Sequence, residues 1–300
     1  MSNSVSLRST DALHRFLIEG ANVRGVLVRL NDTWDTIRDA TQYPPAIATL
    51  LAETALAAAL FGGHTKIEGT VSVQFRGKHA LRRLFAEYRA PGLLRGIAHW
   101  EAPLPDPMPL RTIGDDGMLA ITLESPSPGQ REPTRYQGLV ALDADTLADA
   151  FEQYFAQSEQ LPTRIVFSVQ DGVAAGLLLQ TLPGSEADPD AWTRVQALLD
   201  TLTPAELRND DPATLLFRLF HEDGVRVLGE QPLQFECSCS RERVGSMLLG
   251  LGRDEAFASL QGDVATITCE FCNRSYAFDR VDVTQLFAGG GADTPTLTPQ

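Results

Sequence analysis

The sequence predicts an α+β protein: an N-terminal domain of antiparallel sheet with packed helices, a helical middle linker, and a small C-terminal zinc-binding domain. Three observations carry this reading. Alternating apolar and polar runs, punctuated by Gly and Pro, recur through residues 1–183 with few helical stretches between them. Helix-start signals crowd into residues 184–230. All four cysteines fall after residue 236, within residues 231–288.

Taken in order, Leu13 to Arg29 reads as a strand covered on both faces, with Val23, Gly25 and Leu27 on one side and Val26, Val28 and Leu30 on the other. Tyr43-Pro44-Pro45 opens a helix, since proline suits a first helical turn. Ala46 to Phe61 is rich in Ala and Leu and is expected to be a buried helix. Strand patterns follow over Lys66 to Arg76, Leu81 to Tyr88, Leu93 to Trp100, Met118 to Leu123 and Tyr136 to Leu142. Proline-rich loops lie at Pro103 to Pro109 and Pro126 to Pro133. Leu147, Phe151, Tyr154 and Phe155 mark one face of an amphipathic helix. Arg164 to Val169 and Ala174 to Leu182 return as strands.

The middle segment begins with an acidic loop, Ser185 to Asp190. Trp192, Val195, Leu199 and Leu202 mark a helical face. Thr203-Pro204-Ala205-Glu206 is a capping box with proline at the first helical position. Asp211-Pro212 starts a third helix through Leu215, Leu216, Leu219 and Phe220. Glu186, Asp188, Asp190, Asp200, Glu206, Asp210 and Asp211 face only Arg194 and Arg208 in this stretch. Three short helices with modest apolar faces are expected to bury little, which makes this segment metastable. The tail, residues 289–300, is expected to be disordered.

Composition narrows the function. At 43% hydrophobic and 21% charged the chain has enough apolar content for a real core, so disorder throughout is excluded. The longest wholly apolar run, Ala55 to Phe61, is far short of the roughly 20 residues of a bilayer span. Met1 to Gly20 shows no basic segment followed by an apolar stretch, so no secretory signal is expected. Net charge is −14, and no basic run exceeds Arg82-Arg83, so neither nucleic acid nor membrane is an expected partner. Phosphate loops, GxSxG and HExxH are absent, and His14, His64, His79, His99 and His221 are scattered. An enzyme is not expected.

The chemistry gathers in Cys237-Ser238-Cys239 and Cys269-Glu270-Phe271-Cys272. Two close thiol pairs suit tetrahedral zinc, which favours soft sulfur ligands. CxxC is the usual knuckle spacing; CxC is less usual and can also close a small disulfide ring. Arg241, Arg243 and Arg274 lie near in sequence and would favour thiolates. Three functions use such a cluster: a redox switch, a thiol–disulfide oxidoreductase, or a zinc ribbon that binds a partner. The missing βαβ pattern around Cys269 counts against the second, and the acidic charge against nucleic acid in the third.

Longer stretches bear a resemblance. Asn22-Val23-Arg24-Gly25, Tyr136-Gln137-Gly138, Ser158-Glu159-Gln160-Leu161-Pro162-Thr163-Arg164, Leu178-Leu179-Gln180, Arg218-Leu219-Phe220-His221-Glu222 and Cys237-Ser238-Cys239-Ser240-Arg241-Glu242-Arg243 occur in order with Cys269-Glu270-Phe271-Cys272. Together they resemble the bacterial redox-regulated holdase chaperones, the 33 kDa heat-shock chaperonin family, over nearly the whole chain. The resemblance implies a cytoplasmic, ATP-independent holdase in three parts. Cys237, Cys239, Cys269 and Cys272 would bind one Zn2+ when reduced. Oxidation would pair Cys237 with Cys239 and Cys269 with Cys272, zinc would leave, and the switch domain and linker would unfold. Exposed apolar surface would then bind unfolding client proteins and favour a homodimer. One departure is local: the turn after the strand near residue 76 reads Arg76-Gly77-Lys78-His79-Ala80, where the family often has Gly-Pro.

Overall fold

A computed structural model describes residues 11–65, 67–104, 108–113, 117–127, 133–183 and 190–289. The expected disordered tail lies almost wholly outside these residues, as do most of the acidic loop and parts of both proline-rich loops. Residues up to Glu236 form one compact unit, and those from Cys237 form a second.

The first unit begins with β1 (Ala12–Ile18) and β2 (Val23–Leu30), followed by α1 (Asp32–Asp39) and α2 (Pro45–Thr65). The segment expected to be one strand is thus two, joined by a turn in which Asn22 takes the left-handed conformation. Strands β3 (Thr70–Arg76), β4 (Leu81–Arg89) and β5 (Leu93–Trp100) follow, then the single turn α3 (Leu110–Ile113). Next come β6 (Met118–Ser125), β7 (Thr134–Val140), α4 (Leu147–Ser158), β8 (Thr163–Gln170) and β9 (Val173–Thr181). The linker region holds α5 (Ala191–Leu199), α6 (Pro204–Asn209) and α7 (Pro212–Phe220). After it come β10 (Val225–Pro232) and β11 (Gln234–Phe235).

Two sheets result. Sheet A has the order β10-β1-β2-β9-β8 and is antiparallel throughout. Sheet B has the order β11-β5-β4-β3-β6-β7, antiparallel except for the short parallel β11. The helical reading of residues 184–230 therefore stops near Phe220, because Val225–Pro232 is a strand paired along β1.

Helix α2 packs against strands of both sheets. Ile47, Leu51, Leu56, Leu60 and Phe61 are buried in one core with Val26 and Val28 of sheet A and Val73 and Phe75 of sheet B. Such surroundings explain why the helix is apolar all round rather than striped. Among the described residues it is the one helix long and apolar enough to cross a membrane, and most of it is buried in this core. Within that apolar setting, Glu53 is an exception. Burial pushes its carboxyl up to about 7. The unfolded chain ionises this group near 4.5, so the folded state holds an extra proton between the two values and stability falls as pH rises through that window. Glu53→Gln is expected to stabilise the fold by about 2 kcal/mol at pH 8 and to change nothing at pH 4. Equal denaturant midpoints of the two proteins at pH 8 would refute this.

Sheet A is covered on both faces, as the two apolar sets in β2 require. Its other face carries a second core, and the linker helices that were expected to bury little supply half of it. Phe16, Val23, Leu27, Leu177 and Leu179 pack against Val195, Leu199, Leu207, Leu215, Leu216 and Phe220 of the linker helices. Gly25 makes room for this: a Cβ there would lie 2.1 Å from the Phe16 ring. Polar bonds add to the docking. The buried Arg29 donates from Nε to the Leu207 carbonyl at 2.8 Å. Arg208 donates to Ser168 Oγ and, at 3.2 Å, to Gln170 Oε1. Arg194 pairs with the nearly buried Asp223. The capping box at Thr203 and Glu206 forms as the sequence predicts.

The second unit is small. It contains α8 (Arg241–Leu251), α9 (Arg253–Ala258), the hairpin β12 (Val264–Thr268) and β13 (Ser275–Asp279), and α10 (Arg280–Gly289). Its core is Val244, Leu248, Ala256, Phe278 and Val283, with partly buried neighbours such as Ile267 and Leu286.

Candidate metal centre

The four cysteines are brought together from two places. Cys237 and Cys239 lie on the stretch that leads into α8. Ser240 caps that helix, its Oγ accepting from Arg243 N at 3.2 Å. The guanidinium of Arg243 donates to the Ser238 carbonyl at 2.8 Å and so holds the CxC backbone against the helix start. Cys269 and Cys272 occupy the tip of the β12–β13 hairpin. There Cys269 N donates to Arg274 O at 2.9 Å and Asn273 N to Cys269 O at 2.8 Å. Asn273 adopts the left-handed conformation that closes the knuckle.

The sulfurs meet within 4.8 Å of one another. Cys237 Sγ lies 3.5 Å from Cys269 Sγ, and Cys239 Sγ 3.3 Å from Cys272 Sγ. All four are free and partly buried. A tetrahedral tetrathiolate with metal–sulfur bonds of about 2.3 Å has sulfur–sulfur edges of about 3.8 Å. These two pairs fall a few tenths of an ångström short of that value and the other separations stay within 4.8 Å, so the set is compact enough to close on a metal ion.

Electrostatics divide the four thiols. Burial pushes Cys237 and Cys272 up. Burial also opposes ionisation of Cys239, but the Tyr276 hydroxyl donates to its sulfur at 3.1 Å, the neighbouring thiols add to this, and the group comes down to about 7. Of the three arginines near in sequence, Arg274 is the one whose charge acts on Cys239 and Cys272. Arg241 instead stacks on Phe278 at 4.3 Å and bonds Ala277 O and Asp282, while Arg243 is spent on Ser238 O. Tyr276 was not a sequence candidate. Only the register of the hairpin, which sets it opposite Ile267, brings it to the cluster.

Comparison with known proteins agrees with this architecture. The family model described as Hsp33 protein matches residues 11–279. A 33 kDa chaperonin of Ectopseudomonas mendocina is 43% identical over 296 residues, covering 96% of this chain and 99% of that protein. A 33 kDa chaperonin of Pseudomonas putida is 41% identical over 300 residues, covering 97% and 98%. The crystal structure of a 33 kDa chaperonin from Thermotoga maritima superposes with a TM-score of 0.77 over 95% of this chain and 100% of that one; at 19% identity it speaks to the fold. A family match spanning both units, and relatives aligned nearly end to end, place this chain in the Hsp33 family of chaperones.

Proposed function

We propose that the chain is a holdase switched on by oxidation of its cysteine cluster. The observation that carries this reading is the meeting of four thiols in a unit whose apolar core, among the described residues, is small. In the reduced state Cys237, Cys239, Cys269 and Cys272 would hold one Zn2+, the soft closed-shell ion that tetrathiolate sites favour. Bound there, zinc would cross-link the hairpin tip to the start of α8 and supply folding free energy the small core lacks.

An oxidant of the peroxide class removes two electrons for each disulfide formed, joining Cys237 to Cys239 and Cys269 to Cys272, while the oxidant is reduced to water. No thiolate then remains to bind an ion. Residues 231–288 act as the switch in this reading, residues 184–230 as the linker that follows it, and residues 1–183 as the body that helps hold clients. Unfolding clients are bound through apolar surface, without ATP and without catalysis. The oxidised form acts as a homodimer, in the cytoplasm. Neither nucleic acid nor membrane takes part.

The experiment is aggregation of a chemically unfolded client, followed by light scattering. Protein that is reduced and zinc-loaded is expected to leave the aggregation curve unchanged, and oxidised, zinc-free protein to suppress it. Equal behaviour of the two forms would refute the switch. Turnover of an insulin-type disulfide by a folded, oxidised preparation would point instead to a thiol oxidoreductase.

A further inference from the structure

A cavity of about 220 Å3 lies in the first unit, where the C-terminal end of α2 meets sheet A. Arg15, Arg24 and His64 give it a polar side, and Val26, Leu182 and Leu228 an apolar one. No carboxylate is among its lining residues. Sheet register explains the assembly. Arg15 lies opposite Val26 and Leu17 opposite Arg24, so both guanidiniums stand on the face of sheet A that looks toward α2. A bulge in the β1–β10 pairing leaves Leu228 without an opposite residue, and it closes one wall.

His64 is the anomaly. It is 7% exposed, and neither ring nitrogen makes a hydrogen bond of good geometry. Gln180 lies beside it, but that amide is spent on Thr163 Oγ1 at 2.9 Å and on Arg24 Nη2 at 2.5 Å. Arg24 Nε is likewise buried and unpaired. Among the described residues no carboxylate pairs with Arg15. Buried polar groups nearly always find partners, so the unpaired Arg24 Nε and the unpaired imidazole N–H of His64, with Arg15 beside them, indicate a missing acceptor. The nearest carboxylate acting on Arg24 is Glu159, which does not line the cavity.

We propose that this cavity binds a small amphipathic monocarboxylate, with its carboxylate between Arg15, Arg24 and His64 and its aliphatic chain on Val26, Leu182 and Leu228. Two guanidiniums and an imidazole N–H supply the charge-assisted bonds a carboxylate accepts. A bare dianion such as phosphate would set its remaining oxygens against the apolar wall. Each ligand heavy atom needs somewhat less than the roughly 30 Å3 share of a water, so the space takes about eight, the size of hexanoate.

The test is a titration of the full-length, reduced protein with sodium hexanoate, read by NMR at the His64 imidazole and the Leu182 and Leu228 methyls. Saturable shifts at both sets are expected. Hexan-1-ol, acetate and inorganic phosphate should each bind at least about tenfold more weakly, because each lacks one half of the recognition. Arg15→Gln should weaken hexanoate by at least about tenfold while the rest of the spectrum is kept. If that variant does not fold, the four ligands on the unaltered protein still decide. Absence of saturable shifts means a water-filled cavity and overturns the proposal. So does hexan-1-ol binding as tightly as hexanoate, or phosphate doing so.

Discussion

Chelating the proposed zinc from the reduced protein is expected to unfold residues 237–289 and leave the body, residues 11–183, folded. The second unit has a core of Val244, Leu248, Ala256, Phe278 and Val283, too little apolar area for a stretch of this length to be secure alone. Structural zinc contributes roughly 10–16 kcal/mol of apparent free energy to small peptide domains, more than the whole stability of many proteins. The cluster links the stretch before α8 to the β12–β13 hairpin, so its loss removes the cross-link that holds those segments together. The first unit has two apolar cores of its own and contains none of the ligands. Hydrogen exchange reads the outcome residue by residue. Amides of Val244, Leu248 and Phe278 should lose protection on chelation, while those of Val26 and Leu178 keep it. Cys239→Ser should act in the same direction with metal present. Retained protection at Phe278 in the metal-free, reduced protein would show that the core suffices and that the thiol cluster is not a folding switch.

Much of this molecule was legible in the sequence because its signals are local. The inner strands of sheet B alternate with period two, those of sheet A stand out as short apolar runs, and the four thiols announce themselves by spacing. What escaped detection depends on partners distant in sequence. Helix α1 is one case: Asn31 gives no side-chain cap, and the Asp11 carboxylate accepts from the backbone of Asn31 and Thr33 instead. A helix of eight residues capped by the residue just before β1 leaves only the pair Trp34 and Ile37 as a pattern. The turn between β1 and β2 was missed although Glu19-Gly20 and the left-handed Asn22 break the apolar run there; the apolar residues on either side read as one strand because four residues are all the turn needs. At the candidate metal centre, Arg241 and Arg243 point elsewhere and only Arg274 acts on the thiols, while Tyr276 arrives by hairpin register. The His64 cavity gave no signal at all, since its residues come from β1, β2, the end of α2, the segment after β9, and β10.

The linker gives the other large expected effect. Its apolar faces looked modest in sequence, yet docked on sheet A they build a continuous core around Phe16 and Phe220, whose rings stack at 6.5 Å. Phe220 is 0% exposed, and truncating such a side chain costs about 3–5 kcal/mol. Phe217, on the same helix, is 63% exposed, and truncating it should change stability by no more than about 0.5 kcal/mol. The two variants therefore separate docking from helix propensity. In the reduced protein, Phe220→Ala is expected to speed tryptic cleavage at Arg194, Arg208 and Arg218, and Phe217→Ala to leave it unchanged. The functional consequence follows from the switch reading. If clients bind surface that the docked helices cover, loosening α7 uncovers part of it without any oxidant. Reduced, metal-loaded Phe220→Ala should then suppress client aggregation partially. A variant whose linker is cleaved quickly but which remains inert toward clients would separate the two events: undocking α5 to α7 from Leu27, Leu177 and Leu179 would not be what exposes the client surface, and the unfolded second unit itself would have to supply it.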